Sequence, residues 1–341
     1  MNKKQLIIVM GIGLILAVAV VLGWNTFKQT ATNRIDMADR SEIRQAVGPT
    51  FNADSAYFFA QMQCHFGPRT MNSKAHDACA EWIIRRFEQY GCTVTSQKVL
   101  LKGYDGTMLR AHNIMASYRP EVSKRILLCA HWDSRPWADN DPDSGNWRKP
   151  VMAANDGASG IAVMLEIARL LKNDLTLVYG VDFVCFDAED WGTPRWANLP
   201  DDADSWALGA QHWAKTRPKN YRPEYGILLD MVGGIGAKFY QEMASKQYAP
   251  DIVEKVWAAA DATGYGSYFP KQEGGAITDD HIPVNEYAKI PTIDIIPYYP
   301  DCRQSSFGPT WHTLEDTMEH IDKKTLKAVG QTVIHVLFTE K

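Results

Sequence analysis

The sequence lacks any Cys-x-x-Cys pair although it contains six cysteines, and this absence excludes a zinc ribbon or a thioredoxin-like redox site. It has no internal repeat and no low-complexity linker, so one large domain is the simplest interpretation of the main body. It also lacks a strong charge of either sign. The 36 basic and 40 acidic residues give a net charge of −4, which gives no indication of a nucleic-acid partner.

Charge is absent from residues 5–27, and within this stretch residues 6–24 are apolar apart from glycines. A run of this length can cross a bilayer as a helix. Lys3 and Lys4 precede it, which favours a cytoplasmic N-terminus and an exported body. We therefore predict an N-terminal membrane anchor or signal segment over residues 1–27 and a polar stalk over residues 28–50. A cleaved signal peptide is the alternative, although the apolar run is longer than is usual for one.

Residues 51–341 contain short apolar runs, rich in Ile, Leu and Val, that alternate with helical patterns. Such runs are typical of central strands covered on both faces, and their alternation with helices indicates a largely parallel sheet. We predict a single α/β domain with a central, mostly parallel mixed β-sheet flanked by helices on both faces. The predicted strands are residues 93–101, 125–130, 181–186, 225–231 and 291–297, and the predicted helices are residues 73–90, 157–172, 205–215, 251–263 and 323–338.

Polar side chains follow several of these predicted strands at the point where each strand ends. His131 follows the run at 125–130, Glu189 and Asp190 follow the run at 181–186, and Asp230 lies near the end of the run at 225–231. His312 comes after the last predicted strand and a long loop. Because sites in open α/β sheets form at the carboxyl ends of the strands, we expect these side chains to converge on one crevice.

The residue types in this predicted crevice are those of a catalytic zinc site. Asp156 precedes a predicted helix, where an N-cap role is the ordinary alternative. With Asp190 and His312 it makes a shell of one imidazole and two carboxylates, which leaves a coordination position open for water or substrate. Glu189, beside a ligand, is placed to transfer protons at the metal.

The ordered motifs extend this interpretation. In chain order they are H-x-D at 131–133, N-D-G at 155–157, E-D at 189–190, L-L-D at 228–230, D-D-H-I-P at 279–283 and W-H-T at 311–313. This order resembles the M28-like zinc aminopeptidase clan, and most closely the animal-type glutaminyl-peptide cyclotransferases, which also occur in bacteria. The resemblance implies a zinc-exopeptidase fold over residues 51–341, and an enzyme that converts N-terminal glutamine to pyroglutamate with release of ammonia.

The resemblance also assigns roles to residues. It implies one Zn²⁺ per chain on Asp156, Asp190 and His312, with Glu189 as general acid/base and Asp230 and Asp279 as further acids of a proton-sharing network. Animal members have Glu-Glu where this chain has Glu189-Asp190, a difference that affects only fine geometry.

The aromatic residues expected around the substrate come partly from the resemblance. It implies that Trp311 lines the substrate pocket, and that Trp191 or Trp196 forms the second aromatic wall. Phe307, in the long loop before His312, is a further candidate for the pocket wall, because loops of this length often cover a site. Trp206 lies in the predicted helix 205–215 and is interpreted as a packing residue.

Two other functions have to be weighed against cyclisation. A di-zinc aminopeptidase of the same clan would use His131 and Asp230 for a second metal, with Asp156 bridging. The acid at Asp279 and the tryptophan at Trp311 favour the cyclase. A non-catalytic binding module would be expected to have lost a ligand or Glu189, and none is lost.

The expected partners follow from the same interpretation. They are peptide or protein N-termini that carry glutamine, with no nucleic acid, and with a membrane only through the N-terminal segment. We expect a monomeric catalytic domain on the periplasmic face of the bacterial inner membrane, anchored by residues 6–24. If the segment is cleaved, the expected form is soluble and periplasmic.

Overall fold

The computed structural model describes residues 46–340, apart from positions 175, 198 and 201. The predicted anchor and residues 28–45 of the predicted stalk lie outside these residues. Among the residues described, no helix combines the length and the apolar character that a bilayer span requires. The anchor therefore stays a prediction from the sequence.

The described residues form six β-strands and eight α-helices. The strands are β1 (Thr93–Lys102), β2 (Met108–Tyr118), β3 (Arg125–His131), β4 (Gly180–Phe186), β5 (Tyr225–Leu229) and β6 (Thr292–Ile295). The helices are α1 (Ala53–His65), α2 (Lys74–Gln89), α3 (Ala158–Leu171), α4 (Leu208–Thr216), α5 (Met243–Tyr248), α6 (Pro250–Ala262), α7 (His281–Glu286) and α8 (Lys323–Thr339).

The strands make one mixed sheet in the order β1-β2-β4-β3-β5-β6. β4, β3, β5 and β6 pair in parallel, whereas β2 pairs antiparallel with both β1 and β4. The predicted mostly parallel mixed sheet is confirmed. β2 was not predicted, because its buried residues follow no regular alternation that would mark a strand in the sequence.

Helices cover both faces of the sheet, as predicted. Along β3, Ile126 and Leu128 pack into a large core with α1, α2, α3, α6 and α8, whereas Leu127 and Cys129 pack into a smaller core with α4 and α7. Successive side chains of a strand point to opposite faces, so a strand buried on both sides must be apolar throughout. All six cysteines lie among the described residues and are free thiols.

The predicted helix 205–215 differs from the structure at its start. A single 3₁₀ turn spans Ala203–Ser205, and the α-helix begins only at Leu208. Ala207 between them has a left-handed backbone with φ of 53°, which a right-handed helix does not accommodate. Trp206 therefore lies in extended backbone before the helix rather than on a helical face.

The first turn of α3 approaches the ends of the central strands closely. A β-carbon added at Gly160 would lie 2.1 Å from the carbonyl oxygen of Leu229 and 2.8 Å from the β-carbon of Ala130. Because α3 follows Asp156 and Leu229 precedes Asp230, this contact fixes the distance between two site residues. Glycine is required here for close approach rather than for backbone conformation.

We expect Gly160→Ala to destabilise the protein by about 1–3 kcal/mol, because the added methyl overfills a packed contact with backbone that cannot move freely. Urea unfolding followed by circular dichroism measures this change. The matched control is Gly275→Ala, where the new β-carbon meets only a tyrosine ring carbon at 3.7 Å. Equal stability of the two variants would contradict the close contact.

Candidate metal centre and cavity

A cavity of about 300 Å³ opens at the carboxyl ends of the parallel strands. Its wall brings together residues from the loops that follow β3, β4, β5 and β6, as expected for an open α/β sheet. It contains the three predicted metal ligands, the three predicted acids and two of the four predicted aromatic residues: Asp156, Asp190, His312, Glu189, Asp230, Asp279, Phe307 and Trp311.

The three predicted ligands have donor atoms within 4.8 Å of one another. His312 Nε2 lies 3.0 Å from Asp190 Oδ1 and 3.5 Å from Asp156 Oδ2. The contact with Asp190 lacks hydrogen-bond geometry, so neither of its buried carboxylate oxygens has a hydrogen-bond partner in the described part of the chain. Buried carboxylate oxygens without donors are costly unless a cation satisfies them. The donor set fits Zn²⁺.

Asp156 is free to serve as a ligand because the helix that follows does not use it as a cap. The N-cap of α3 is Gly157, with φ of 106° and no side-chain capping bond. The backbone amides of Asn155 and Asp156 instead donate to the Asp316 carboxylate, at 2.8 and 3.0 Å. Asp316 is buried and holds the loop that presents Asp156. The N-cap alternative for Asp156 is therefore excluded.

A second buried carboxylate supports the other acidic ligand. The amides of Glu189 and Asp190 donate to Asp133, at 3.2 and 3.3 Å. The H-x-D motif thus contains His131, which contacts Asp156 and Asp230, and Asp133, which positions the E-D pair. The sequence contains Asp133 within the H-x-D motif and Asp316 shortly after the W-H-T motif, but a carboxylate that binds backbone amides has no spacing signature that would have predicted these roles.

Backbone strain is concentrated around the same residues. Ala153, Ala188, Met231 and His312 all have left-handed backbone, with φ between 49° and 58°. Each lies within a few residues of a predicted ligand or acid, or is itself a predicted ligand. Residues other than glycine adopt this conformation at a cost, and such positions cluster at functional sites.

Beside the predicted metal ligands lies a group of buried acids. Burial and the neighbouring Asp190 carboxylate raise the pKa of Glu189 well above its usual range. Burial and the charge of Asp230 raise the pKa of Asp279 to about 6. Acids that are buried together share protons rather than ionise together.

His131 faces this group of acids. Its Nε2 lies 3.0 Å from Asp156 Oδ1 and 3.2 Å from Asp230 Oδ1. The ligand atoms of these three residues also lie within 4.8 Å of one another. The structure thus contains a second possible metal group that shares Asp156 with the first.

Two tryptophans flank the ligand His312. The Trp311 ring stacks on it with a centroid distance of 3.8 Å, and the Trp206 ring stacks at 6.0 Å. Phe307 packs against Trp311 at 4.8 Å. Trp311, Trp206 and Phe307 are therefore the aromatic wall of the cavity.

Neither Trp191 nor Trp196, the predicted candidates for the second aromatic wall, is among the residues that line this cavity. Trp191 packs against Trp137, and its indole donates to Asp105. Trp196 packs between Trp137 and Trp147. The residue that replaces them, Trp206, was interpreted as a packing residue, because the late start of α4 cannot be read from the helical pattern.

Comparison with known proteins places this geometry in a family context. The sequence profile of peptidase family M28 matches residues 113–337. The crystal structure of Tannerella forsythia glutaminyl cyclase has a TM-score of 0.84 and 51% identity, over 86% of this chain and 100% of that chain. Bacteroides thetaiotaomicron glutaminyl cyclase, bound to N-acetylhistamine, has a TM-score of 0.84 and 49% identity with the same coverage.

A curated relative carries a different activity in its name. Aminopeptidase YwaD of Bacillus subtilis is 29% identical over 261 residues, which cover 73% of this chain and 49% of that protein. The chain thus spans about half the length of this relative.

We expect Asp316→Asn to weaken zinc binding by about tenfold or more, because loss of a group that orients a metal ligand has effects of this size. Asp316 accepts hydrogen bonds from two backbone amides, one on each carboxylate oxygen. In asparagine one of these oxygens is replaced by an NH₂ group, which cannot accept a hydrogen bond, so the loop carrying Asp156 shifts. Competition with a fluorescent zinc chelator measures the affinity. Asp251→Asn, at an exposed position on α6, is the control. Unchanged affinity in Asp316→Asn would show that Asp316 does not position the ligand.

Proposed function

Since the chain belongs to peptidase family M28, we propose that it is a glutaminyl-peptide cyclotransferase, which converts the N-terminal glutamine of peptides and proteins to pyroglutamate and releases ammonia. Two solved relatives with 49% and 51% identity are glutaminyl cyclases. The catalytic residues of the proposal are those that line the cavity at the carboxyl edge of the sheet.

Asp156, Asp190 and His312 would hold one Zn²⁺ per chain, which acts as a Lewis acid that polarises the side-chain amide carbonyl of the substrate glutamine. The unsatisfied carboxylate oxygens of Asp190 support this assignment. The contribution of the protein is to fix these three donors on separate loops, each held by buried carboxylates or by hydrogen bonds to the backbone.

Glu189 transfers the proton. It lines the cavity directly beside Asp190. The substrate's own α-amine nitrogen forms a bond to the side-chain carbonyl carbon, and the bond from that carbon to the amide nitrogen breaks. Glu189 accepts the proton from the α-amine and returns it to the departing nitrogen, which leaves as ammonia. Because the attack is intramolecular, orientation in the cavity supplies much of the rate.

Asp230 and Asp279 bind and orient the groups that move. Both are buried and line the cavity beside Glu189. We assign them to hydrogen bonds with the amide nitrogen of the substrate and to sharing protons with Glu189.

The observation that supports cyclisation rather than hydrolysis is the set of residues in the cavity wall. Asp279 and the adjacent Thr278 line its wall together with Asp230 and Glu189, and Trp206, Trp311 and Phe307 enclose the opposite side. A volume of about 300 Å³ suits one amino-acid side chain. A cyclase must keep water from attacking the reacting carbonyl, and the aromatic residues Trp206, Trp311 and Phe307 are the part of the cavity wall that we assign to this role.

A di-zinc aminopeptidase is the second candidate function. The group of His131, Asp156 and Asp230 has the donor atoms for a second metal, and Aminopeptidase YwaD carries that activity in its name. It would admit water as the nucleophile and release the N-terminal residue.

The location of the enzyme is a further part of the proposal. Residues 6–24 anchor the chain, and the catalytic domain, residues 51–341, acts as a monomer on the periplasmic face of the inner membrane. A cleaved signal peptide is the alternative. The basic residues before the apolar run and the absence of charge within it support export.

We expect the purified protein to release ammonia from a peptide that begins with glutamine, and to leave a matched peptide that begins with leucine intact. Mass spectrometry of the products and a coupled ammonia assay measure both reactions. Free leucine without cyclisation of the glutamine peptide would overturn the cyclase in favour of the aminopeptidase.

We expect Glu189→Gln to lower kcat by at least about a hundredfold, because it removes the group that carries the proton. The variant keeps its zinc, since the three ligands are unchanged, and both proteins bind one zinc per chain. Asp190→Asn at the next position should lose zinc as well as activity. Elemental analysis and steady-state kinetics make the comparison. Retained turnover in Glu189→Gln would show that another group transfers the proton. Two zinc ions per chain would favour the aminopeptidase.

A further inference from the structure

A second cavity, of about 260 Å³, lies against the first one. The two cavities share Trp206, Trp311 and His312 in their walls. The far side of the second cavity is formed by the loop that carries Asn140 and by the loop that follows Asp190. The two cavities are therefore adjacent, with Trp206, Trp311 and His312 between them.

On the buried side of the second cavity, the charged side chains are paired with each other. Arg135 donates to both carboxylate oxygens of Asp139, at 3.1 and 2.8 Å, and to the backbone oxygens of Asp190 and Gly192. Its guanidinium also lies 4.7 Å from the ring of Trp206. Every charge in this part of the wall has a partner, so this part of the cavity has little capacity to select a charged ligand.

Arg195, at the exposed side of the same cavity, is different. It is exposed, and its Nη1 donates to the side-chain oxygen of Asn140 at 2.6 Å. Across the described residues, no carboxylate lies within the 4.0 Å that would make an ion pair with it. Within the described residues Arg195 thus has no ion-pair partner, and it brings a positive charge to the cavity.

The position of this charge is fixed. The Arg195 amide donates to Asp139 at 3.1 Å, and its side chain is held by Asn140. Asn140 in turn donates to the backbone oxygen of Trp311 at 3.1 Å, and its own amide donates to the backbone oxygen of His312 at 3.0 Å. The cation is therefore connected through Asn140 to the wall that both cavities share.

The proposed reaction determines which part of a peptide reaches this place, and the inference rests on that proposed function. Cyclisation closes a small lactam, so the α-carbon of the glutamine lies close to the reacting carbonyl, beside His312. The acids Glu189, Asp230 and Asp279 line the first cavity, and we place the rest of the peptide along the wall that the two cavities share. Consecutive α-carbons are about 3.8 Å apart, so the next residue begins at that wall.

We propose that the second cavity is a subsite for the residue that follows the N-terminal glutamine, and that Arg195 makes this subsite favour an acidic side chain. Arg195 acts on the choice of substrate and takes no part in the chemical step. The exposed ion pair with the substrate strengthens binding in the ground state and the transition state alike, so the preference is expected in KM.

The test compares peptides Gln-Glu-Phe-Ala and Gln-Lys-Phe-Ala, with Gln-Ala-Glu-Phe to separate the second position from the third. We expect kcat/KM of the wild type to favour glutamate over lysine at the second position by about two- to fivefold, the size of an exposed ion pair. Arg195→Glu inverts the ratio, and Arg195→Lys keeps its direction. The preference weakens as ionic strength rises.

Arg222→Glu is the matched control, because it makes the same change of charge at an exposed residue before β5, at the opposite edge of the sheet. It keeps the wild-type ratio. An unchanged ratio in Arg195→Glu overturns the subsite, as does a preference that follows the third position instead of the second. If the wild type cyclises none of the three peptides, the proposed function itself fails, which is a distinct result.

Discussion

The crowding of carboxylates at the carboxyl edge of the sheet is the constraint on which the rest of the site depends. Asp156, Asp190, Glu189, Asp230 and Asp279 are all buried around one cavity. Like charges at this spacing out of water are strongly unfavourable unless cations or shared protons relieve them. The zinc ion proposed for Asp156, Asp190 and His312 would relieve one half of the group, and proton sharing would relieve the other half.

The fold makes this arrangement rigid at a local cost. Four residues around the cavity have left-handed backbone, and two buried carboxylates, Asp133 and Asp316, are used to hold backbone amides. Both features oppose stability on their own. They are tolerated because the parallel strands behind them are packed on both faces and the first turn of α3 fits against the ends of β3 and β5. The packed sheet thus provides the rigid support, and the loops at its carboxyl edge carry the site residues.

The same arrangement explains why two chemistries are close neighbours on this fold. His131, Asp156 and Asp230 have the donors for a second metal, so the ligand inventory alone does not separate a cyclase from an aminopeptidase. The distinction depends on what surrounds the metal: the acid at Asp279, the aromatic wall and the volume left for substrate.

Residues that come directly after apolar runs could be predicted, because strand ends are visible in a sequence and parallel strands bring their ends together. The central sheet and the acids Glu189, Asp190 and Asp230 are of this kind, whereas Asp156 and His312 lie far beyond the nearest preceding apolar run and were proposed as ligands from their residue types and the ordered motifs. Tertiary structure alone decided that Trp206 and not Trp191 or Trp196 forms the wall, that Asp316 holds the loop of Asp156, and that β2 lies between β1 and β4. These features depend on where a backbone dihedral such as that of Ala207 interrupts a helix and on contacts between distant loops, and neither leaves a periodic signal in the chain.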